Sequence, residues 1–327
     1  MADRLGQRFG NNHLLQLLGQ GGFAEVYLGK HVDLNTLATI KVYRTQLVEQ
    51  DVERFRLEAR IMSHLLHPHI LRVLEYNVAQ NTPYICMNYA PGGSLRQRHP
   101  KGSRVPLATV VSYVNQISSA LQFAHEQKLI HRHIKPQNFL VGNANEILLS
   151  DFGIAPLDQN SRYRSQKDML EALTYMAPEQ IEAHPKSASD QYSLGIVVYE
   201  WLAGEPPFQG SIAELPAMHK DAPPPSLREK MSDIVPPVEA VVMRALAKDW
   251  TSRFTDIQAF ATALEQASNF ENEPTIFSAP HSQALDATVA VQFPSQHPSE
   301  QAASTGQQAS HGISRRVVVS GLLGLVA

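Results

Sequence analysis

The chain has 327 residues, which is enough for one large two-lobed domain or for two ordinary domains with a substantial core. Hydrophobic residues make up 43% of it and charged residues 18%, a composition that is typical of a soluble globular protein and excludes a wholly disordered one. The net charge of −3 provides no bulk attraction for nucleic acid, which is therefore not expected as a partner. Cys86 is the only cysteine, so an intrachain disulfide is excluded and a reducing cytoplasm is favoured.

The first patterned region, residues 14–43, predicts three strands joined by short connections. The first connection reads Gly19-Gln20-Gly21-Gly22-Phe23-Ala24-Glu25-Val26. A strand-like run follows these glycines, whereas the dinucleotide-binding glycine motif opens a helix, so that kind of site is excluded. Glycines between antiparallel strands indicate either an ordinary hairpin or a flap whose backbone approaches phosphates, and the rest of the chain decides between the two.

Lys41 lies in the third predicted strand, where the two-residue period places it on one face with Thr39 and Tyr43. An amphipathic helix is predicted next, from the apolar stripe Val52, Phe55, Ala59, Met62 and Leu66. Glu58 lies on the apolar side of this helix, where an unpaired carboxylate is costly. Lys41 is the candidate partner of Glu58.

Two features lie between this helix and the second half of the chain. His64, His67 and His69 could suggest a metal site, but no further ligand can be assigned, so an ordinary turn is favoured. Residues 84–95 run from a strand into a turn that contains proline and glycine. Within that strand, Cys86 is predicted to be a small core residue rather than a reactive thiol.

The most informative stretch reads His131-Arg132-His133-Ile134-Lys135-Pro136-Gln137-Asn138, followed by Ile147-Leu148-Leu149-Ser150-Asp151-Phe152-Gly153. It resembles the catalytic loop and the metal-binding segment of the eukaryotic-type serine/threonine protein kinases of bacteria. Further motifs match this family in order: Ala38-Thr39-Ile40-Lys41, His67-Pro68-His69-Ile70, Met176-Ala177-Pro178-Glu179, Asp190 and Thr251-Ser252-Arg253-Phe254. The resemblance implies that Glu179 pairs with Arg253 and that Asp190 braces the catalytic loop.

The resemblance covers about residues 12–267 and implies an α+β, two-lobed protein-kinase-like fold. A small antiparallel β lobe is expected at about residues 12–90, and a mainly helical large lobe at about residues 91–267. The resemblance also implies a site for ATP and Mg²⁺, with protein substrates or signalling partners.

The implied residues fall into three groups. Those that bind ATP are Leu18, Gly19, Gln20, Gly21, Gly22, Phe23, Ala24, Val26, Lys41, Glu58, Met87, Asn88, Tyr89, Ala90 and Leu140. Asn138 and Asp151 are the implied Mg²⁺ ligands, and both offer the oxygen atoms that a hard cation prefers. His133 and Lys135 occupy the catalytic positions, and Lys135 matches the serine/threonine pattern.

Two positions depart from the family. His133 stands where the family has its catalytic aspartate, and a neutral imidazole can accept a hydrogen bond but brings no negative charge. Glu171-Ala172 stands where the family usually has Gly-Thr, so the threonine bonds to the catalytic aspartate and lysine are predicted to be absent. Because general-base catalysis contributes about 10²–10⁴-fold and kinases turn over at about 1–100 s⁻¹, a rate of about 10⁻⁴ to 1 s⁻¹ is expected.

The composition changes twice after the kinase-like region. Residues 268–312 are rich in Ser, Gln, Ala, Pro, Thr and His, which predicts a flexible linker. Residues 313–327 then contain Arg315 and Arg316 before an apolar run that would extend about 16 Å as a helix, against a hydrocarbon core of about 30 Å. This run is either the start of a transmembrane segment with its entry on the cytoplasmic side, an apolar tail, or a twin-arginine-like signal; the first is favoured.

Two functions therefore remain open from the sequence. The first is a serine/threonine protein kinase that uses Mg-ATP, at a reduced rate because of His133. The second is a pseudokinase that serves as an ATP-binding signalling scaffold or switch. Either would be cytoplasmic, with a tether to the inner face of the cell membrane if the C-terminal run spans it.

Overall fold

The structure is a computed structural model that describes residues 4–22, 24–44, 47, 49–79, 81–152 and 165–269. They belong to one compact unit, Met1–Thr275; a second unit, Ile276–Ala327, lies outside the described residues. Phe23, Gly153, nearly all of the predicted linker and the C-terminal apolar run also lie outside them. Within the described ranges, no helix is both long enough and apolar enough to cross a membrane.

An antiparallel sheet of six strands forms the small lobe. Its strands are β1 (Arg8–Phe9), β2 (Asn12–Gln20), β3 (Ala24–His31), β4 (Leu37–Tyr43), β5 (Val73–Ala79) and β6 (Thr82–Asn88), in the order β1-β2-β3-β4-β6-β5. The three strands predicted between residues 14 and 43 are confirmed as β2, β3 and β4. Val26 pairs with Lys41 across β3 and β4, and with Gly19 across β2 and β3. The register therefore places Lys41 beneath the glycine-containing hairpin, as the two-residue period predicts.

Helix α1 (Glu49–Ser63) packs its apolar stripe against the sheet. Phe55 and Ala59 are fully buried and Met62 nearly so, which confirms most of the predicted stripe. The prediction is wrong for Leu66, which is 63% exposed. The helix ends at Ser63, so the helical period no longer applies there, and Leu65 enters the core instead.

The large lobe is mainly helical. Its helices are α2 (Leu95–Arg98), α3 (Leu107–Glu126), α4 (Gln166–Tyr175), α5 (Pro178–Ile181), α6 (Ser187–Ala203), α7 (Leu215–Asp221), α8 (Leu227–Lys230), α9 (Pro236–Ala245) and α10 (Ile257–Asn269). A short hairpin of β7 (Phe139–Val141) and β8 (Ile147–Leu149) lies between α3 and α4. Helix α6 is buried along nearly its whole length, including the polar residues Ser189, Asp190, Gln191 and Glu200. The predicted α+β, two-lobed architecture is confirmed.

A buried ion pair joins α5 to the segment before α10. Arg253 donates from Nη1 to Glu179 Oε1 at 2.8 Å and from Nη2 to Glu179 Oε2 at 2.9 Å. Ser189 also donates to the carboxylate, and Arg253 donates to the backbone oxygen of Ala188. Burial by itself raises the pKa of Glu179, but the bonds from Arg253 and Ser189 more than offset it, so the pKa lies below its usual value. The predicted pair is confirmed.

Replacing Arg253 with methionine is expected to lower the free energy of unfolding by about 3–5 kcal/mol, because it leaves the buried Glu179 carboxylate unpaired. The measurement is urea denaturation at pH 7. Lys230→Met is the matched control, since Lys230 pairs with Glu205 at 2.9 Å where both side chains are more than 40% exposed. That control is expected to change the free energy by about 1 kcal/mol or less. Equal effects of the two substitutions would contradict the structural role given to Arg253.

Candidate functional site

The glycine-containing hairpin between β2 and β3 covers one side of the cleft between the lobes. Its turn is closed by a hydrogen bond from Gly21 N to Ala24 O at 2.9 Å. A Cβ atom added at Gly19 would meet nothing within 4 Å, and one at Gly21 would meet only Ala24 O at 3.9 Å. Packing within the described chain therefore does not require glycine at either position, whereas the close approach of a ligand to the backbone would require it. Leu18 before the hairpin is partly exposed.

Lys41 and Asp151 join the two lobes inside this cleft. Lys41 Nζ on β4 lies 2.7 Å from Asp151 Oδ1, which follows β8. Burial raises the pKa of the Asp151 carboxyl, but the Lys41 ammonium, helped by Lys135, more than offsets this, so the pKa lies below its ordinary value. Glu58 lies 3.5 Å from Arg54, one turn earlier on α1. The pairing of Lys41 with Glu58 stays a prediction.

A narrow pocket lies behind the Lys41–Asp151 pair. Its lining includes Met62 of α1, Met87 of β6 and Phe152. Met87 is thus at the back of the cleft, where its bulk limits the depth of the pocket.

The segment that follows Met87 connects the two lobes. Asn88 is exposed, Tyr89 is half-buried and Ala90 is buried. The N–H of Asn88 donates to Arg72 O at 3.0 Å. The Asn88 N–H is therefore already used within the chain, and the role of residues 88–90 in binding ATP stays a prediction. Leu140 lies in β7 and is half-buried.

The buried carboxylate of Asp190, on α6, holds the start of the catalytic loop. It accepts from His131 N and Arg132 N at 2.8 Å each, and lies 2.7 Å from Nε2 of His125. Arg132 has a left-handed backbone with φ of 67°, a conformation that costs about 1–3 kcal/mol outside glycine. The bonds to Asp190 stabilise this turn, and the predicted bracing role of Asp190 is confirmed.

His131 connects the catalytic loop to the segment that carries Asp151. Its Nε2 donates to Ser150 O at 2.9 Å, while its Nδ1 accepts from His133 N at 3.2 Å. Both ring nitrogens are therefore used in the neutral form, because protonated Nδ1 would face another donor. Burial lowers the pKa of His131 to about 4, although the Asp190 carboxylate opposes the shift.

Asn138 and Asp151 are held on adjacent segments. Asn138 Nδ2 donates to His133 O at 2.7 Å, which turns Oδ1 of the amide the other way. Ser150, the residue before Asp151, donates from N and Oγ to Asn138 O. An ionised carboxylate and an amide oxygen fit a hard divalent cation such as Mg²⁺.

The histidines after α1 have structural roles. His67 stacks on Phe123 at 5.3 Å and shares a hydrogen bond with Ser119, while His69 Nδ1 lies 3.0 Å from Ile147 O. Within the part of the chain that the structure describes, no group of three or more His, Cys, Asp or Glu residues could hold a metal ion. The preference for a turn at these histidines agrees with these contacts.

Helix α4 contributes two carboxylates to the cleft. Glu171 Oε1 lies 2.6 Å from Lys135 Nζ, and Asp168 Oδ2 accepts from Gly22 N at 2.9 Å. The sequence predicts that neither Glu171 nor Ala172 bonds to Lys135. This prediction is wrong for Glu171, because its carboxylate reaches Lys135, which an alanine side chain cannot do.

Comparison with known proteins shows which family the chain belongs to. The family described as protein kinase domain matches residues 12–267 of the chain. The chain belongs to the protein kinase family. Probable serine/threonine-protein kinase PknB from Lactococcus lactis is 30% identical over 287 residues, which is 85% of this chain and 46% of that protein.

Two other bacterial relatives give a similar result. Serine/threonine-protein kinase Pkn1 from Myxococcus xanthus is 34% identical over 273 residues, covering 80% of this chain and 39% of that protein. Serine/threonine-protein kinase PknJ from Mycobacterium tuberculosis is 33% identical over 273 residues, covering 80% of this chain and 46% of that protein. The chain thus spans less than half the length of these three relatives. The predicted resemblance to bacterial serine/threonine kinases is confirmed at the level of the family.

Asp168 is the residue of the kinase cleft that sequence reasoning missed. The available signal was the spacing Ser165-x-x-Asp168, which is typical of a helix start. Ser165 does cap α4, because its Oγ accepts from Asp168 N at 3.1 Å. This local pattern predicts a helix but not that the helix lies across the cleft.

Replacing His131 with phenylalanine is expected to make stability less dependent on pH. In the wild type the folded-state pKa of about 4 lies below the unfolded value of about 6.5. The unfolded state therefore binds more protons between these values, and stability falls as the pH falls from about 6.5 to about 4. Between pH 7 and pH 5 the wild type should lose about 2 kcal/mol more than the variant, measured by urea denaturation. Parallel pH profiles for the two proteins would contradict a neutral buried His131.

Proposed function

We propose that the chain acts as a serine/threonine protein kinase that binds Mg-ATP and transfers the γ-phosphate to hydroxyl groups of protein substrates, at a reduced rate. The observation that carries the proposal is the meeting of Lys41 and Asp151 at 2.7 Å between the lobes. The open glycine hairpin lies on the same side of the cleft as Lys41, and Asn138 lies beside Asp151. Family membership supports ATP as the phosphoryl donor.

Each group has a specific task in this proposal. Lys41 would hold the α- and β-phosphates, and the backbone of the glycine hairpin would cover them. Asn138 and Asp151 would hold Mg²⁺, which neutralises the charge of the phosphates when bound. Lys135 would contact the transferred phosphate, and Met87 and Ala90 would border the adenine. Because positioning and charge stabilisation provide most of the catalysis in phosphoryl transfer, these residues can support transfer without a strong base.

His133 is the reason for expecting a slow reaction. A neutral imidazole can accept a hydrogen bond from the substrate hydroxyl, but it adds no negative charge to orient that hydroxyl. The expected rate of about 10⁻⁴ to 1 s⁻¹ follows from the loss of a base that contributes about 10²–10⁴-fold.

A pseudokinase function is the second candidate. It is favoured by the ion pair between Lys135 and Glu171, because a lysine held by a carboxylate is not available to a phosphate. In that case the chain would bind Mg-ATP as a signalling scaffold or switch. Attachment to the inner face of the membrane stays a prediction that depends on residues 313–327 alone.

His133→Asp is expected to raise phosphate transfer by about 10²–10⁴-fold if the site is a working kinase impaired at this position. The measurement is incorporation of phosphoserine or phosphothreonine into a generic basic protein substrate, detected by mass spectrometry with Mg-ATP present. Lys41→Ala provides the blank, and His13→Asp provides a matched charge control, because His13 is exposed on β2.

The outcomes separate the two functions. Wild-type transfer above the Lys41→Ala blank would support the kinase, and transfer at the level of the blank would support the pseudokinase. Mg-ATP should raise the melting temperature in both cases, since a ligand that binds the folded state stabilises it. Absence of that shift in the wild type would contradict both functions.

A further inference from the structure

The backbone around His133 is held at three points by side chains. His131 Nδ1 accepts from His133 N at 3.2 Å, and Asn138 Nδ2 donates to His133 O at 2.7 Å. The third contact lies one residue earlier, where Gln180 Nε2 donates to Arg132 O at 2.7 Å. The first two partners belong to the catalytic loop, whereas Gln180 belongs to α5, 48 positions after Arg132. Gln180 therefore ties the peptide bond before His133 to another element of the large lobe.

The peptide bond that Gln180 holds follows a residue with unfavourable backbone geometry. Arg132 has a left-handed φ of 67°, and such a residue keeps its conformation only when its surroundings hold it there. Asp190 holds the N–H of Arg132 at 2.8 Å, and Gln180 holds its carbonyl oxygen. The orientation of the peptide plane between Arg132 and His133 thus depends on Gln180 as well as on Asp190. This plane sets the direction in which the His133 side chain leaves the loop.

Helix α5 does not need Gln180 for its own attachment to the large lobe. The preceding residue, Glu179, is 7% exposed and accepts two hydrogen bonds from Arg253. Gln180 is half-buried and adds one neutral hydrogen bond to Arg132 O. A neutral hydrogen bond contributes much less to stability than the loss of a buried ion pair costs. The place of the Gln180 bond, next to His133, is therefore more informative than its strength.

We infer that Gln180 is a positioning residue for phosphate transfer, because it fixes the peptide bond from which His133 projects. The inference rests on the proposed kinase function and deepens it. In that function His133 accepts a hydrogen bond from the substrate hydroxyl, and acceptance requires the ring to lie at the right distance and in the right direction. Without the donor of Gln180 the peptide bond adopts other orientations as well, so fewer molecules hold the ring in the productive place.

The test is a comparison of three variants of the whole chain. Gln180→Met removes the donor at a similar side-chain length, Gln180→Lys keeps a donor, and Gln258→Met is the matched control, since Gln258 is exposed on α10. The measurement is the transfer of phosphate from Mg-ATP to the generic basic protein substrate. Gln180→Met is expected to lower kcat about five- to tenfold, as for the loss of one hydrogen bond, with the KM for Mg-ATP unchanged. Gln180→Lys should retain most of the wild-type kcat, and Gln258→Met all of it.

NMR of the backbone amides gives a second measurement that does not require activity. The amide signal of His133 should shift in Gln180→Met and return towards its wild-type position in Gln180→Lys. The signal of Val197, which is fully buried in α6, should stay in place in both variants. A role in stability alone would leave kcat unchanged, because the assay contains almost only folded molecules while the variant remains stable.

Melting temperatures verify that the variants fold. An unchanged kcat in Gln180→Met would overturn the inference, as would a raised KM for Mg-ATP at constant kcat. An equal loss of kcat in Gln180→Lys, or a loss in Gln180→Met without any shift of the His133 signal, would also overturn it, since the donor would then not act through His133.

Failure of the proposed function itself has a different signature. Wild-type transfer at the level of the Lys41→Ala blank would overturn the kinase function, and the inference with it, even where the His133 signal still responds to Gln180→Met. Failure of the inference alone requires wild-type transfer above that blank which Gln180→Met leaves unchanged.

Discussion

The geometry of the cleft depends on the buried carboxylate of Asp190. Its oxygen atoms accept from the backbone of His131 and Arg132, and its side chain is only 1% exposed. A buried carboxylate without partners is costly, so these bonds both stabilise the ionised group and fix the loop. Through His131 the constraint extends to Ser150, and from there to Asp151. The proposed metal ligands thus derive their positions from a helix that does not itself enter the cleft.

Much of this arrangement could be predicted from sequence because it follows from local periodicity. The two-residue period of β4 places Lys41 on the face that meets Val26, and the helical stripe places Phe55 and Ala59 in the core. The stripe fails at Leu66, since periodicity does not indicate where α1 ends. The family resemblance adds long-range pairs such as Glu179 with Arg253, which no local pattern contains.

The contacts of α4 show what the sequence could not provide. Gly22 and Asp168 are 146 positions apart, and neither residue is unusual in its own segment. Their contact depends on how Tyr175 anchors the end of the helix to α6, which is a property of the packed lobe. The prediction that Glu171 does not bond to Lys135 is wrong for the same reason. Comparison with the family's Gly-Thr shows that a hydroxyl is missing, but it does not show that a longer acidic side chain reaches Lys135 from a helix.

His133 and Glu171 both concern the catalytic loop: His133 belongs to it, and Glu171 contacts its Lys135. Under the proposed function, His133 provides no negative charge, while Glu171 brings one to Lys135. In the proposed function, the histidine at 133 would weaken the orientation of a substrate hydroxyl, while Glu171 holds Lys135 from α4.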